Sequence, residues 1–228
     1  MNILVLGKGK TGSLVAEIAQ QRGHDVTSID EFDNVDGSAL TPEKLSTYDV
    51  AIDFTAPSAV MGNIQALTKA GKNVVVGTTG WYDEMPNVQK LVEQSGIGFI
   101  YGSNFSIGMN VFFEIARTAA AALKYGYRGE IAERHHVTKK DAPSGTAVIM
   151  QRIVQEASGE ELKITSVREG DTVGMHVLVL DSANDTMMLT HDAKTRRGLA
   201  EGAVLASEWI VGKKGFYDFK QVFREMKP

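Results

Sequence analysis

The run Ile3-Leu4-Val5-Leu6 passes straight into Gly7-Lys8-Gly9-Lys10-Thr11-Gly12, and a helical pattern starts inside that loop. A buried strand, a tight glycine turn and a helix start, in that order, leave few architectures open. Glycines at the first, third and sixth positions permit the turn, the close approach of a ligand, and the packing of helix on strand. Backbone N–H groups at the helix start can then take a pyrophosphate. By spacing alone the loop could be a plain tight turn. Its place between a strand and a helix favours dinucleotide binding by Gly7, Lys8, Gly9, Lys10, Thr11 and Gly12.

The first hundred residues keep the same alternation. Residues 3–6, 25–29, 50–54, 73–76 and 96–101 read as strands, and 11–22, 58–70 and 85–94 as helices between them. The strands are apolar without a two-residue alternation, which suits parallel strands covered on both faces. The expectation is an α/β fold with a Rossmann-like doubly wound parallel sheet. After Asn104 the rhythm changes. A helix over 109–123 and a strand ending at His135-His136 come first, then a helix opening near Ser144. Strand-like runs at 163–168, 175–181 and 186–191 follow with no helix between them. Consecutive strands without crossovers predict a second, α+β domain with a mainly antiparallel sheet. The expected division is 1–104 with 197–228 as one domain and 105–196 as the other, the helical stretch 198–211 returning to the first.

Bulk properties narrow the class. An apolar share of 43% and a charged share of 23% describe an ordinary globular chain. A formal charge of −4 argues against nucleic acid, whose phosphates need a basic face. With no cysteine there is no disulfide, thiolate zinc site or thiol nucleophile, which suits a cytoplasmic location. No basic segment precedes the first strand, so a secretory leader is not expected. The apolar stretch 111–123 is broken by Glu114 and Arg117 and is too short to cross a bilayer, so no membrane partner is expected.

Ligand-facing positions are expected at the carboxyl ends of the parallel strands. Asp30 closes the second strand, 18 residues past Gly12, where a carboxylate would accept bonds from ribose hydroxyls and favour NAD. The next residue is Glu31, where a site preferring NADP often offers a base. Lys8 and Lys10 could still neutralise a 2′-phosphate, so NADH is favoured and NADPH stays open. Phe54 and Thr55 end the third strand, and Gly77, Thr78, Thr79 and Gly80 follow the fourth. Small residues there let a nicotinamide approach, and the hydroxyls can bond its ribose or amide.

The densest chemistry lies in 130–147, EIAERHHVTKKDAPSGTA. Histidine titrates near neutrality and suits proton transfer or anion binding. His135 and His136 end a strand, where neighbouring side chains point to opposite faces, so only one can face a ligand fully unless the strand bends. Lys139 adds a cation. Ser144-Gly145-Thr146 open a helix whose free N–H groups and hydroxyls would cradle a carboxylate. Adjacent histidines seldom chelate one ion, and Lys139 and Lys140 would repel a cation, so no metal is expected. The bland reading is a basic loop with solvated histidines.

At these residues the sequence resembles dihydrodipicolinate reductase, also called 4-hydroxy-tetrahydrodipicolinate reductase. The shared motifs are the glycine loop, Ile52-Asp53-Phe54-Thr55, Gly77 to Gly80, and Ser103-Asn104-Phe105-Ser106-Ile107-Gly108. The most specific is His135-His136-x-x-Lys139-x-Asp141 continuing to Ala147. Arg168-x-Gly170-x-x-x-Gly174-x-His176, Thr190-His191-x-Ala193 and Arg197 through Trp209 complete a likeness that is collinear over almost the whole chain. The resemblance implies NADH- and/or NADPH-dependent reduction of a small cyclic dicarboxylate, dihydrodipicolinate or its 4-hydroxy-tetrahydro form, to tetrahydrodipicolinate, in the diaminopimelate route to lysine. It implies cofactor contacts from residues 7–12, Asp30, Gly77, Thr78, Thr79, Gly102, Ser103, Asn104 and Phe105. It implies His135 and Lys139 as the proton-donating pair, and His136, Gly145 and Thr146 as substrate-carboxylate binders. It also implies a homotetramer built through the second domain, making 105–196 the substrate-binding and oligomerisation domain and the rest the dinucleotide-binding domain.

Two features depart from many members: only 18 residues separate Asp30 from Asp49, and the glycine loop is one residue shorter. Two other readings compete. A Rossmann oxidoreductase for another imino or amino dicarboxylate need not keep Lys139 or the 144–146 cradle. A non-catalytic dinucleotide-binding protein would carry a degraded proton donor.

Overall fold

Strand β1 (Asn2–Leu6) has Ile3, Leu4, Val5 and Leu6 all essentially without solvent exposure. Successive side chains on a strand point to opposite faces, so both faces of its sheet are covered. The computed structural model describes residues 1–227, apart from the side chains of Glu31 and Asp36, and divides the chain into two compact units. One comprises Met1–Ser106 with the segment from Arg197 onward, the other Ile107–Arg196. Glu31, weighed above for cofactor preference, therefore has its side chain outside the described residues.

The first unit holds a six-stranded sheet in the order β10-β5-β4-β3-β1-β2, every neighbouring pair parallel. Its elements run β1, α1 (Lys10–Gln21), β2 (Asp25–Ile29), α2 (Pro42–Leu45), β3 (Val50–Asp53), α3 (Pro57–Lys69), β4 (Asn73–Val76), α4 (Met85–Ser95) and β5 (Gly98–Tyr101). Leu4, Leu6, Ala51, Val74, Val76 and Phe99 pack under α3 and α4, whose inward residues are Val60, Ile64, Leu67, Val88 and Val92. The opposite parity is covered by α1 and by a helix from the far end of the chain. This doubly wound arrangement reverses its winding between β1 and β3, which places the ligand crevice at their carboxyl ends.

The second unit begins with α5 (Ile107–Ala119), which tightens into a 3₁₀ turn over Ala120–Tyr125 instead of continuing to 123. Strand β6 (Arg128–His135) follows, then α6 (Gly145–Ser158), β7 (Ile164–Arg168), β8 (Gly174–Asp181) and β9 (Thr186–Ala193). The sheet order is β7-β6-β8-β9. β6, β8 and β9 are antiparallel, but β7 pairs with β6 and runs parallel to it. The expectation of three successive antiparallel strands from 163 onward is corrected here: α6 forms a crossover, so β7 returns beside β6 in the same direction. Ile131, Leu178 and Leu180 face α5 and α6 and form the core with Met109, Phe112, Phe113, Met150 and Val154.

The chain then returns to the first unit as α7 (Arg197–Ile210), β10 (Gly215–Asp218) and α8 (Phe219–Val222). β10, absent from the sequence reading, extends the parallel sheet beside β5. Among the described residues, no helix is long and apolar enough to cross a membrane.

Candidate active site

The crevice in the first unit is an open cleft of about 260 Å³ lined by Gly9, Lys10, Thr11, Phe54, Thr55, Pro57, Gly77, Thr78 and Thr79. These residues follow β1, β3 and β4, the strands at the point where the winding reverses. Gly7 has φ 96°, and a Cβ on Gly12 would lie 2.0 Å from the Gly7 carbonyl oxygen, so the turn folds tightly onto the helix start. Gly9 caps α1 without a side-chain hydrogen bond, which leaves the first-turn N–H groups of the helix without a side-chain acceptor. Small side chains, free helix N–H groups and two flanking lysines fit the pyrophosphate of a dinucleotide.

Beneath this cleft lies a buried carboxylate. Asp53 Oδ1 accepts from the Thr55 N–H at 3.0 Å, the Thr55 hydroxyl at 2.7 Å and the Thr78 hydroxyl at 2.6 Å. Asp53 Oδ2 accepts from Asn63 Nδ2 at 2.7 Å, and Asn63 in turn accepts from Asn34 Nδ2 at 2.8 Å. Burial pushes the Asp53 carboxyl above its ordinary value, against the opposing hydrogen bonds. The two threonines on the cleft wall are thus fixed by one side chain at the end of β3. Gly102, Ser103, Asn104 and Phe105 follow β5, and the Phe105 ring is a core residue, packed on Phe54 and Phe219. Asp30 follows β2, half-buried, its carbonyl accepting from the Asp33 N–H.

In the second unit, Glu133 and His135 share the helix-covered face of β6. His176 stands opposite Glu133 on β8, and His191 opposite His176 on β9. His135 Nδ1 makes a short hydrogen bond to Glu133 Oε2. The other oxygen, Oε1, takes Arg168 Nη2 at 2.9 Å and the Ser144 N–H at 3.3 Å. Arg168 Nη2 also donates to the Asp141 carbonyl at 2.5 Å. Burial alone would raise the Glu133 carboxyl, but hydrogen bonding led by Arg168 outweighs it and holds the group below its ordinary value. Burial pushes His135 below the ordinary histidine value; Glu133 opposes this, while Lys139 and Arg168 add to it. His176, buried and beside His135, is pushed down to about 4. Burial thus favours the neutral form of both imidazoles, with Glu133 opposing it at each.

Lys139 is half-buried, with Nζ 2.8 Å from Asp141 Oδ1. The Gly145 N–H also faces the Asp141 carboxylate. Ser144 caps α6, its hydroxyl oxygen accepting from the Ala147 N–H at 3.2 Å and lying 3.3 Å from His176 Nε2. Gly145 opens the helix with free space where a side chain would stand. An ammonium, an imidazole and a helix N-terminus thus meet within one loop, a set able to hold a carboxylate and supply a proton.

A family model described as dihydrodipicolinate reductase, N-terminus, matches residues 1–105, and one described as dihydrodipicolinate reductase, C-terminus, matches residues 108–223. The chain belongs to the dihydrodipicolinate reductase family. A 4-hydroxy-tetrahydrodipicolinate reductase from Christiangramia forsetii is 36% identical over 99% of this chain and 99% of its own length. One from Natronomonas pharaonis is 36% identical over 96% of this chain and 99% of its own length. Among solved structures, a dipicolinate-bound dihydrodipicolinate reductase from a Paenisporosarcina species has a TM-score of 0.79 at 22% identity, over 97% of this chain and 99% of that one, a likeness of fold.

Within this family frame the site residues divide by unit. Gly9, Lys10, Thr11, Phe54, Thr55, Gly77, Thr78 and Thr79 line one cleft. Gly7, Lys8 and Gly12 belong to the turn beside it. His135, Lys139 and the Ser144–Thr146 segment converge in the second unit. His136 does not join His135: as strand alternation requires, it turns away, bonding Thr138 Oγ1 at 2.7 Å and lying 3.4 Å from Arg196 Nη2. Sequence reasoning assigned no role to Glu133, Arg168, Gly174, His176 or Arg196. Arg168, Gly174 and His176 stand together in one quoted motif, and that spacing was the available signal. A Cβ at Gly174 would sit 2.8 Å from His135 Nε2, so the strand backbone is pressed against the ring.

Proposed function

We infer that this chain is a nicotinamide-dinucleotide-dependent reductase that converts 4-hydroxy-tetrahydrodipicolinate, or its dehydrated form dihydrodipicolinate, to tetrahydrodipicolinate. The observation that carries the reading is the meeting of Lys139, His135 and the α6 N-terminus on the chain of a family member. The dinucleotide, when bound, supplies a hydride. The protein's own share follows from its residues. The Gly145 N–H and the Thr146 hydroxyl hold one substrate carboxylate, which takes the place of the Asp141 carboxylate at Gly145. His136, turned toward Thr138 and Arg196, is left for the substrate's other polar groups. The 4-hydroxy form must first lose water. Lys139 then stabilises the negative charge that hydride addition spreads over the conjugated imine, and supplies the proton that ends on the ring carbon next to the one receiving hydride, restoring the imine. His135 forms the proton-donating pair with Lys139 and orients it toward the ring. In the first unit Thr55 and Thr78, locked by Asp53, shape the cleft for the nicotinamide end, and the residue 7–12 turn takes the pyrophosphate.

Asp30 favours NADH, while Lys8 and Lys10 leave NADPH usable. The sheet face of the second unit away from α5 and α6 carries Val167 and Met188, 43% and 67% exposed, which supports assembly through that face into a homotetramer. Absence of cysteine goes with a cytoplasmic setting. Calorimetric titration with dipicolinate, a stable planar dicarboxylate, tests the site. Binding that weakens in Thr146→Val supports the reading, and no binding at millimolar ligand, with or without dinucleotide, contradicts it.

A further inference from the structure

We propose that Glu133, braced by Arg168, is a positioning residue that fixes His135 in the tautomer carrying its proton on Nδ1 and holds the Lys139 turn against it. The proposal deepens the reductase reading and rests on it for the role of His135. Glu133 is 1% exposed, and both of its oxygens are used. Oε2 is an acceptor facing His135 Nδ1, so that nitrogen must donate. The lone pair is thereby left on Nε2, the nitrogen lying against Gly174. Oε1 is held by Arg168 and by the Ser144 N–H at the start of α6.

Arg168 reaches two things at once. One guanidinium nitrogen bonds both Glu133 and the carbonyl of Asp141, whose side chain pairs with Lys139. A single cation on β7 therefore sets the imidazole and the ammonium relative to each other. Buried carboxylates that accept from an imidazole N–H select its tautomer and orientation in this way.

The charged and titratable groups around His135 are Glu133 on its own strand, Arg168 on β7, His176 on β8 with His191 beyond it on β9, and Lys139 from the following turn. Glu133, His135 and His176 also present three potential ligand atoms within 4.8 Å of one another. A cation there would have to displace the guanidinium from Glu133 and the proton from His135 Nδ1. Both Glu133 oxygens and His135 Nδ1 are already engaged by these bonds.

The test is Glu133→Gln in the full-length protein, whose amide can donate to Nδ1 and so favour the opposite tautomer. Imidazole nitrogen resonances of histidine-labelled protein should show His135 as Nδ1–H in the native chain and shifted toward Nε2–H in the variant. With substrate, kcat should fall by about a hundredfold while dinucleotide affinity stays unchanged. The acid limb of the kcat profile should move to lower pH, since the carboxylate that favours imidazolium is gone. An unchanged tautomer with unchanged kcat, or a native His135 found as Nε2–H, overturns the proposal. If Glu133→Gln does not fold, Arg168→Gln decides by the same two readouts. The resonances need no turnover, so an enzyme inactive on this substrate would refute the reductase reading while the tautomer was still being read.

Discussion

Lys139 carries the one ammonium that the His135 loop brings beside an imidazole, a carboxylate and a helix start together, among the described residues. Lys139→Ala removes the proposed proton donor without touching the residue 7–12 turn. Turnover should fall by about a hundred- to ten-thousand-fold, with dinucleotide affinity by fluorescence titration unchanged. An equal loss of nucleotide binding would refute the assigned role. Gly174→Ala probes the opposite face of His135: its methyl would meet Nε2 at 2.8 Å. The expected result is a fall in kcat with a displaced His135 resonance, and native values for both would show that the ring has room to give. At this scale the histidine–lysine pair was legible because its residue types and spacing are themselves the signal. Glu133 was not. On β6 it reads as one more charged strand residue among Glu130 and Arg134, and its burial depends on an arginine 35 positions later, brought alongside by strand register.

Helix α6 shows how an element carries chemistry through its end. Ser144 satisfies an N–H that no backbone carbonyl can reach, and the same hydroxyl meets His176. Ser144→Ala should lower stability by about 1 kcal/mol in a denaturant titration and weaken dipicolinate binding. A loss of stability with undisturbed binding would separate the cap from the site. The S-G-T start of this helix was readable because capping is local. The pairing of β7 was not, since 164–168 looks the same whether it joins β6 or β8, and only the crossover through α6 selects between them. β10 escaped notice because four residues, Gly215–Asp218, offer too short a pattern to stand out from a turn.

Over the whole molecule, the chain leaves the first unit at Ser106 and returns at Arg197 to complete it. The return is pinned by ion pairs that no local pattern announces. Glu208 on α7 accepts from Arg22 through both oxygens, at 2.7 and 2.8 Å, and lies 2.7 Å from His24 Nε2, while Arg197 reaches Glu17 at 2.8 Å. Burial would raise the Glu208 carboxyl, but Arg22 and His24 outweigh it and hold it below its ordinary value. A carboxyl depressed in the folded state contributes stability above its unfolded pKa and loses it as pH falls through the folded one. Stability of the native protein should therefore decline below about pH 4 more steeply than that of Glu208→Gln in parallel denaturant titrations. Equal acid slopes would show that this pair contributes nothing. The doubly wound sheet was legible at this scale because buried parallel strands write continuous apolar runs, whereas the partners of Glu208 are separated by some 180 residues.

The most direct measurement is dinucleotide oxidation coupled to the synthase that condenses pyruvate with aspartate semialdehyde. Oxidation should depend on the synthase product, run faster with NADH than with NADPH, and be nearly lost in Lys139→Ala. Binding of both dinucleotides with no product-dependent oxidation of either would contradict this, leaving the fold in place and removing the substrate.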